Sequence, residues 1–193
     1  MNYKGLFKRI GLLIMHPDRA WEEINNEKSV ESMYSTFSYP LIALTSLCVF
    51  IAGLIYATSE SPYPIFQEAL TTACVYAISL FGGLFISIFL VSLFFQKKIV
   101  VGDIKLNKLK LTQLVGYSFI IVFLYFILSS LLPSLSKILL IPQVYIIYII
   151  WQGLDFLVPK NYEYKMRMAF IASGIIVIVP IILKIIFSML VKL

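Results

Sequence analysis

The sequence predicts an all-α, polytopic integral membrane protein with five transmembrane helices, a cytoplasmic N-terminus and an external C-terminus. Three observations lead to this fold class: the composition, five long apolar stretches, and the uneven placement of lysine and arginine. Of the 193 residues, 60% are hydrophobic and only 13% are charged, and the mean hydropathy is +0.92. A soluble domain carries about 25% charged residues and could not cover this much apolar surface.

Each apolar stretch has about the 20 residues that a helix needs to cross a bilayer core of about 30 Å. The stretches run approximately over Phe37–Ala57, Ala69–Phe95, Leu114–Leu132, Ile138–Val158 and Met168–Val191. What remains is an N-terminal segment and short loops. We therefore expect a cytoplasmic amphipathic segment over residues 1–36, followed by one five-helix transmembrane domain over residues 37–193.

Lysine and arginine concentrate in alternate gaps between these stretches. Thirteen of the 16 lie in the N-terminal segment, between spans two and three, or between spans four and five. Because positively charged loops resist translocation, these three regions are expected in the cytoplasm. The same pattern accounts for the net charge of +6, so no nucleic-acid partner is expected.

The N-terminal segment begins with an amphipathic helix. Apolar residues of Tyr3–Ile14 recur at three- and four-residue spacing, while Lys4, Lys8 and Arg9 lie mostly off that face. Such a helix can lie in the headgroup plane against anionic lipid, or pack on the protein's own inner surface, and one helix could do both. Trp21 in the following turn suits an interfacial depth.

Within the spans, small residues and prolines predict how the helices pack. Span two repeats small residues at four-residue intervals, a spacing that lets helix backbones approach closely. These residues are Ala69, Ala73, Ala77, Ser79, Gly83 and Ser87. We therefore expect span two at the centre of the bundle. Pro142 and Pro180 are expected to kink spans four and five, because each removes a backbone hydrogen bond.

The loop between spans two and three is basic and interleaved with apolar residues. This pattern favours a short hairpin or interfacial segment on the membrane surface over a freely solvated loop. Its cations are Lys97, Lys98, Lys105, Lys108 and Lys110. With Lys4, Lys8, Arg9 and Trp21, they form the predicted lipid- or partner-binding face.

Two ionisable residues lie inside the predicted spans, where charged groups are costly and are commonly functional. Asp155 lies near the cytoplasmic end of span four, with Gln152 in its neighbourhood, and Lys184 lies near the outer end of span five. Their depths differ by about 15 Å, so a direct pair is not expected. Asp155 is expected to meet inner-loop cations or Tyr and Gln side chains, and Lys184 to extend outward along its stem.

Known catalytic and metal-binding motifs are not found in the chain. His16 is the single histidine, which excludes HExxH and multi-histidine metal sites. There is also no GxSxG elbow and no glycine-rich phosphate loop. We therefore predict no catalytic residue, no metal ligand and no cofactor.

Three short motifs and the order of the parts resemble the Yip1 domain family, in its bacterial branch. The motifs are HPDRAWEEI at His16–Ile24, QLVGYSFI at Gln113–Ile120 and IIWQGLDFLV at Ile149–Val158. The resemblance implies a five-helix membrane domain with a cytosolic N-terminus. Eukaryotic members act in vesicle traffic and contact Rab-type GTPases. Of the sequence elements of those members, only a GY element has a similar counterpart here, at Gly116 and Tyr117.

Two functions are consistent with these patterns. The first is a non-enzymatic protein of the bacterial cytoplasmic membrane that organises membrane or partner proteins through its basic cytoplasmic face. Anionic headgroups would be its main partners, with protein partners or further copies of itself also possible. The second is a small transporter or channel subunit that uses Asp155 and polar residues of span four.

Overall fold

A computed structural model describes residues 3–56, 64–97, 106–159 and 163–191, and within these ranges the chain is helical with no strand. The α-helices are α1 (Tyr3–Met15), α2 (Pro17–Asn25), α3 (Glu31–Met33), α4 (Tyr39–Ile55), α5 (Ile65–Phe94), α6 (Lys108–Ser118), α7 (Ile120–Leu131), α8 (Tyr145–Leu154) and α9 (Lys165–Val191). A π-helical turn over Tyr34–Ser38 joins α3 to α4, and 3₁₀ turns cover Pro133–Leu135 and Ile138–Val144.

Among the described residues, four helical segments are long and apolar enough to cross a membrane. They are Glu31–Ile55, Ile65–Phe94, Lys108–Leu131 and Lys165–Val191. The prediction of several apolar helices long enough to span a membrane is therefore confirmed. All four begin before the predicted first residues, which are Phe37, Ala69, Leu114 and Met168. Hydropathy locates the apolar part of a helix, whereas the backbone continues into its polar first turns.

The fourth predicted span is a shorter apolar segment, Ile138–Leu154. Its first part is 3₁₀-helical and contains Pro142. Proline has no N–H to donate to the preceding turn, and its ring clashes with an α-helical carbonyl before it. The expected disturbance at Pro142 therefore takes the form of a tighter helix over Ile138–Val144.

The third segment lies at the centre of the bundle, and the prediction that span two would lie there is wrong. In the most apolar 18 residues of each, 61% are buried in the third segment and 33% in α5. The small residues of α5 instead seat it closely against two neighbours. Gly53 of α4 packs on Ala69, and Gly83 packs on Pro180 of α9. One narrow face of α5 is therefore buried, while Phe81, Phe89 and other bulky residues stay exposed.

The contact between Gly83 and Pro180 should be sensitive to one added methyl group. A Cβ at Gly83 would lie 2.9 Å from Pro180 Cγ and 3.1 Å from its Cα, and the rigid proline cannot swing away. Gly83→Ala is expected to destabilise the protein by about 1–3 kcal/mol in a thermal melt in detergent. Gly82→Ala is the matched control, since its Cβ meets only Leu183 Cδ1 at 3.5 Å. Equal melting temperatures for the two variants would contradict this packing.

Hydroxyl groups inside the spans are mostly satisfied within their own helices. Thr45 donates to the Leu41 carbonyl at 2.7 Å, Ser79 to Val75 at 2.6 Å, and Ser173 to Ala169 at 2.6 Å. A hydroxyl bonded to the preceding turn can be buried in an apolar setting without a partner from another helix. These serines and threonines therefore serve helix packing.

The two N-terminal helices pack on each other and on one end of the bundle. In α1, Leu6 and Leu13 are buried seven residues apart, whereas Phe7 is 60% exposed. In α2, Pro17, Ala20, Trp21 and Ile24 are buried on one face. Pro17 starts α2, where its missing N–H needs no partner. This end of the bundle carries the candidate functional site.

Candidate functional site

Trp21 fixes α2 to the bundle. Its side chain is 3% exposed, and its indole Nε1 donates a hydrogen bond of 2.9 Å to the carbonyl oxygen of Ile149 in α8. A buried indole N–H normally requires such an acceptor. Trp21 belongs to the predicted lipid- or partner-binding face, but in the structure its ring is enclosed between helices and its donor is already used.

Gly153 makes room for the Trp21 ring. A Cβ at this position would lie 2.4 Å from Leu114 Cδ1 and 2.7 Å from Trp21 Cε2. On the other side, the Tyr117 ring meets Trp21 edge to face, with 6.3 Å between ring centroids. The three motifs singled out in the sequence thus converge here. We call this cluster of Trp21, Leu114, Tyr117, Ile149 and Gly153 the N-terminal junction.

A network of charged groups borders the N-terminal junction. The Tyr117 hydroxyl donates to Glu27 Oε2 at 2.7 Å, and Arg9 Nη2 lies 3.1 Å from Glu27 Oε1. The Arg9 guanidinium also lies 5.6 Å from the centroid of the Tyr117 ring. These contacts tie α1 and the link after α2 to the central third segment. Arg9, predicted as a lipid contact, is therefore engaged within the protein.

Two further polar contacts attach the N-terminal helices. The Tyr145 hydroxyl donates to the Ile14 carbonyl at 2.8 Å. Lys110 Nζ donates to the carbonyl of Asn25. Lys110, another predicted lipid contact, thus holds the C-terminal end of α2 against the start of the third segment.

The other predicted surface cations have different surroundings. Lys4, Lys8 and Lys108 are exposed, and Lys8 Nζ lies 3.7 Å from Glu23 Oε1 at the surface. Lys97 is exposed, with its ammonium 5.2 Å from the Phe94 ring centroid. Lys98 and Lys105 lie outside the described residues.

A small cavity lies beside the N-terminal junction. Its walls include Trp21, Asn25, Lys110 and Gln113. The cavity has a volume of about 10 Å³, which is room for about one water molecule. Gln113 is 1% exposed, and both polar atoms of its amide have no hydrogen-bond partner. The cavity therefore has room for about one water molecule close to a buried amide.

Asp155 pairs with a lysine from the start of α9. Lys165 Nζ lies 2.5 Å from Asp155 Oδ1 and 4.3 Å from the centroid of the Trp151 ring. The Lys165 side chain is 3% exposed, that of Asp155 is 19% exposed, and Gln152 nearby is half-buried. The pair joins the ends of α8 and α9. It neutralises Asp155 inside the protein and gives no specific support to a transport path.

Lys184 lies far from this end, between aromatic rings of α5 and α7. Its ammonium is 4.6 Å from the centroid of Tyr76 and 5.9 Å from that of Phe126. The structure therefore does not bring Lys184 together with Asp155, in agreement with their predicted difference in depth.

Sequence reasoning did not single out Lys165, Glu27 or Gly153 as parts of one site. For Lys165, the available signal was the expectation that Asp155 meets inner-loop cations, because Lys165 lies in the predicted gap between spans four and five. Glu27 and Gly153 give no comparable signal, because their partners lie in segments remote in sequence. No group of three or more His, Cys, Asp or Glu side chains suited to a metal ion occurs among the described residues.

Comparison with known proteins gives one match. The Yip1 domain matches residues 10–188 of the chain. The match covers α2 to α8 completely, the C-terminal part of α1 and most of α9, and so includes all the helices of the N-terminal junction. No curated protein and no solved structure matches the chain.

Proposed function

Because the chain belongs to the Yip1 domain family, we propose that this multi-pass membrane protein is non-enzymatic and organises membrane or partner proteins through a basic cytoplasmic face. Anionic lipid headgroups are the primary ligands of that face. The proposed location is the bacterial cytoplasmic membrane. The observation that carries the proposal is the exposed side of α1, which faces away from the helix bundle.

Five spans are compatible with the length of the fourth segment. Its 3₁₀ part has 7 residues at about 2.0 Å each, and α8 has 10 residues at about 1.5 Å each. Together they extend about 29 Å, close to a bilayer core of about 30 Å. With five spans, the charge asymmetry of the loops puts the N-terminus inside and the C-terminus outside.

The exposed side of α1 combines cations with apolar groups. Phe7 is 60% exposed and Met15 is 76% exposed, and Lys4 and Lys8 are exposed on the same helix. The opposite side of α1 is held by buried Leu6 and Leu13. A helix docked in this way offers an aromatic side chain for the headgroup region and ammonium groups for anionic lipid. The buried side of α1 fits the interpretation that the helix packs on the protein, and its exposed side supports the proposed contact with lipid.

Flotation with liposomes tests this function. The protein in phosphatidylcholine nanodiscs should co-float with phosphatidylglycerol liposomes at low salt, and less so at 0.5 M NaCl, because salt screens surface charge. Each lysine near an anionic surface contributes about 1 kcal/mol. The double variant Lys4→Gln, Lys8→Gln should therefore bind roughly 30-fold more weakly.

Two controls sharpen the result. Lys137→Gln removes an exposed lysine from the loop before the fourth segment, on the proposed outer side, and should leave binding unchanged. A second double variant, Lys97→Gln with Lys108→Gln, measures how much the basic loop between spans two and three contributes to liposome binding. Binding of the Lys4/Lys8 double variant at the wild-type level would refute the role of α1.

A further inference from the structure

Lys184 is a half-buried cation at a point where three helices meet. It belongs to α9, and its ammonium faces the rings of Tyr76 from α5 and Phe126 from α7. The side chain therefore reaches across to its neighbours. A charge in such a place is costly and by default marks a functional site.

The position of Lys184 along α9 gives its depth in the membrane. It follows Lys165 by 19 residues of the same helix, which is about 29 Å. This distance is close to the thickness of a hydrocarbon core, about 30 Å. Lys165 lies beside the exposed Trp151 at the end of the bundle that holds the N-terminal helices. Lys184 therefore lies near the opposite boundary of the core, and its long side chain can reach outward to the phosphate groups of phospholipids.

The aromatic rings satisfy Lys184 only in part. A ring face attracts a cation, but it is not a conventional acceptor for the three N–H donors of an ammonium group. Within the ranges that the structure describes, no carboxylate pairs with Lys184. The ammonium is thus oriented by two rings and still lacks an anion.

We propose that Lys184, oriented by the rings of Tyr76 and Phe126, binds the phosphate group of a phospholipid at the interface opposite the N-terminal helices. The inference rests on α9 crossing the membrane, and it is independent of lipid binding by α1. The phosphate accepts charge-assisted hydrogen bonds from Lys184. The half-buried Ile181 and Val177 share the face of Lys184 towards the membrane centre and offer contact to the acyl chain.

Native mass spectrometry of the full chain in detergent tests this site, with phosphatidylglycerol as the probe. The wild-type protein should retain one phosphatidylglycerol that Lys184→Leu binds at least about tenfold more weakly, as expected for loss of a hydrogen bond to a charged group. Lys184→Arg should retain it. Lys184→Leu removes a charge from an apolar helix, so it is expected to fold.

Three further arms identify the ligand. Lys137→Gln, which alters an exposed lysine of a nearby loop, should bind as the wild type does. Diacylglycerol, which lacks the phosphate, should not occupy the site, and millimolar inorganic phosphate should not displace the lipid. Equal retention by Lys184→Leu and the wild type would overturn the proposal. Displacement by inorganic phosphate would overturn its assignment to a lipid. Neither result bears on the Lys4 and Lys8 variants, which report on the other face.

Discussion

Replacing Trp21 by alanine is expected to release the two N-terminal helices from the bundle. The change removes a side chain that is 3% exposed, together with its hydrogen bond to the Ile149 carbonyl. Truncation of a buried aromatic residue of this size costs about 3–5 kcal/mol. The melting temperature in detergent should fall. Trypsin should cleave earlier after the exposed Lys28, in the link that follows α2.

Two variants separate the parts of this effect. Trp21→Phe keeps most of the packing but leaves the Ile149 carbonyl without the indole donor, so it should cost about 1 kcal/mol. Trp151→Phe changes the other tryptophan, which is 36% exposed, and should cost less than about 1 kcal/mol. Wild-type cleavage kinetics in Trp21→Ala would show that the N-terminal junction does not hold these helices.

Asp155→Asn is expected to destabilise the protein by about 3–5 kcal/mol, because it leaves the ammonium of Lys165 buried without its carboxylate. The Lys165 side chain is 3% exposed, and its remaining close contact is the Trp151 ring, 4.3 Å from Nζ. The loss should appear as a lower melting temperature in detergent. It should be present at all salt concentrations, since a buried pair is screened far less than a surface pair.

A second substitution tests whether this loss comes from an unpaired charge. Lys165→Met in the Asp155→Asn background removes the ammonium and fills its place with an apolar chain. Stability should return to within about 1 kcal/mol of wild type, because apolar replacement of a whole buried pair is often neutral. If the double variant instead lost as much stability as the Asp155→Asn and Lys165→Met single variants together, the ion pair would be refuted as the cause.

The three motifs show how much of the candidate site could be predicted from the sequence. The first motif precedes span one, the second opens span three and the third closes span four, so the predicted topology puts all three towards the cytoplasmic side. It does not indicate that the Trp21 ring fits between Leu114 and Gly153. The amphipathic pattern of α1 left both membrane and protein contact open, because an apolar stripe fits either surface.

The sequence by itself determined the membrane class and the approximate positions of the apolar helices, and it predicts an orientation. These properties follow from the transfer of each segment between water and lipid, which depends on its own side chains. Only the tertiary structure decided that the third segment is central, that Trp21 is enclosed between helices, and that Asp155 forms an ion pair with Lys165. These contacts depend on which helix faces meet. In a membrane, where lipid and core are equally apolar, hydrophobicity does not select among them.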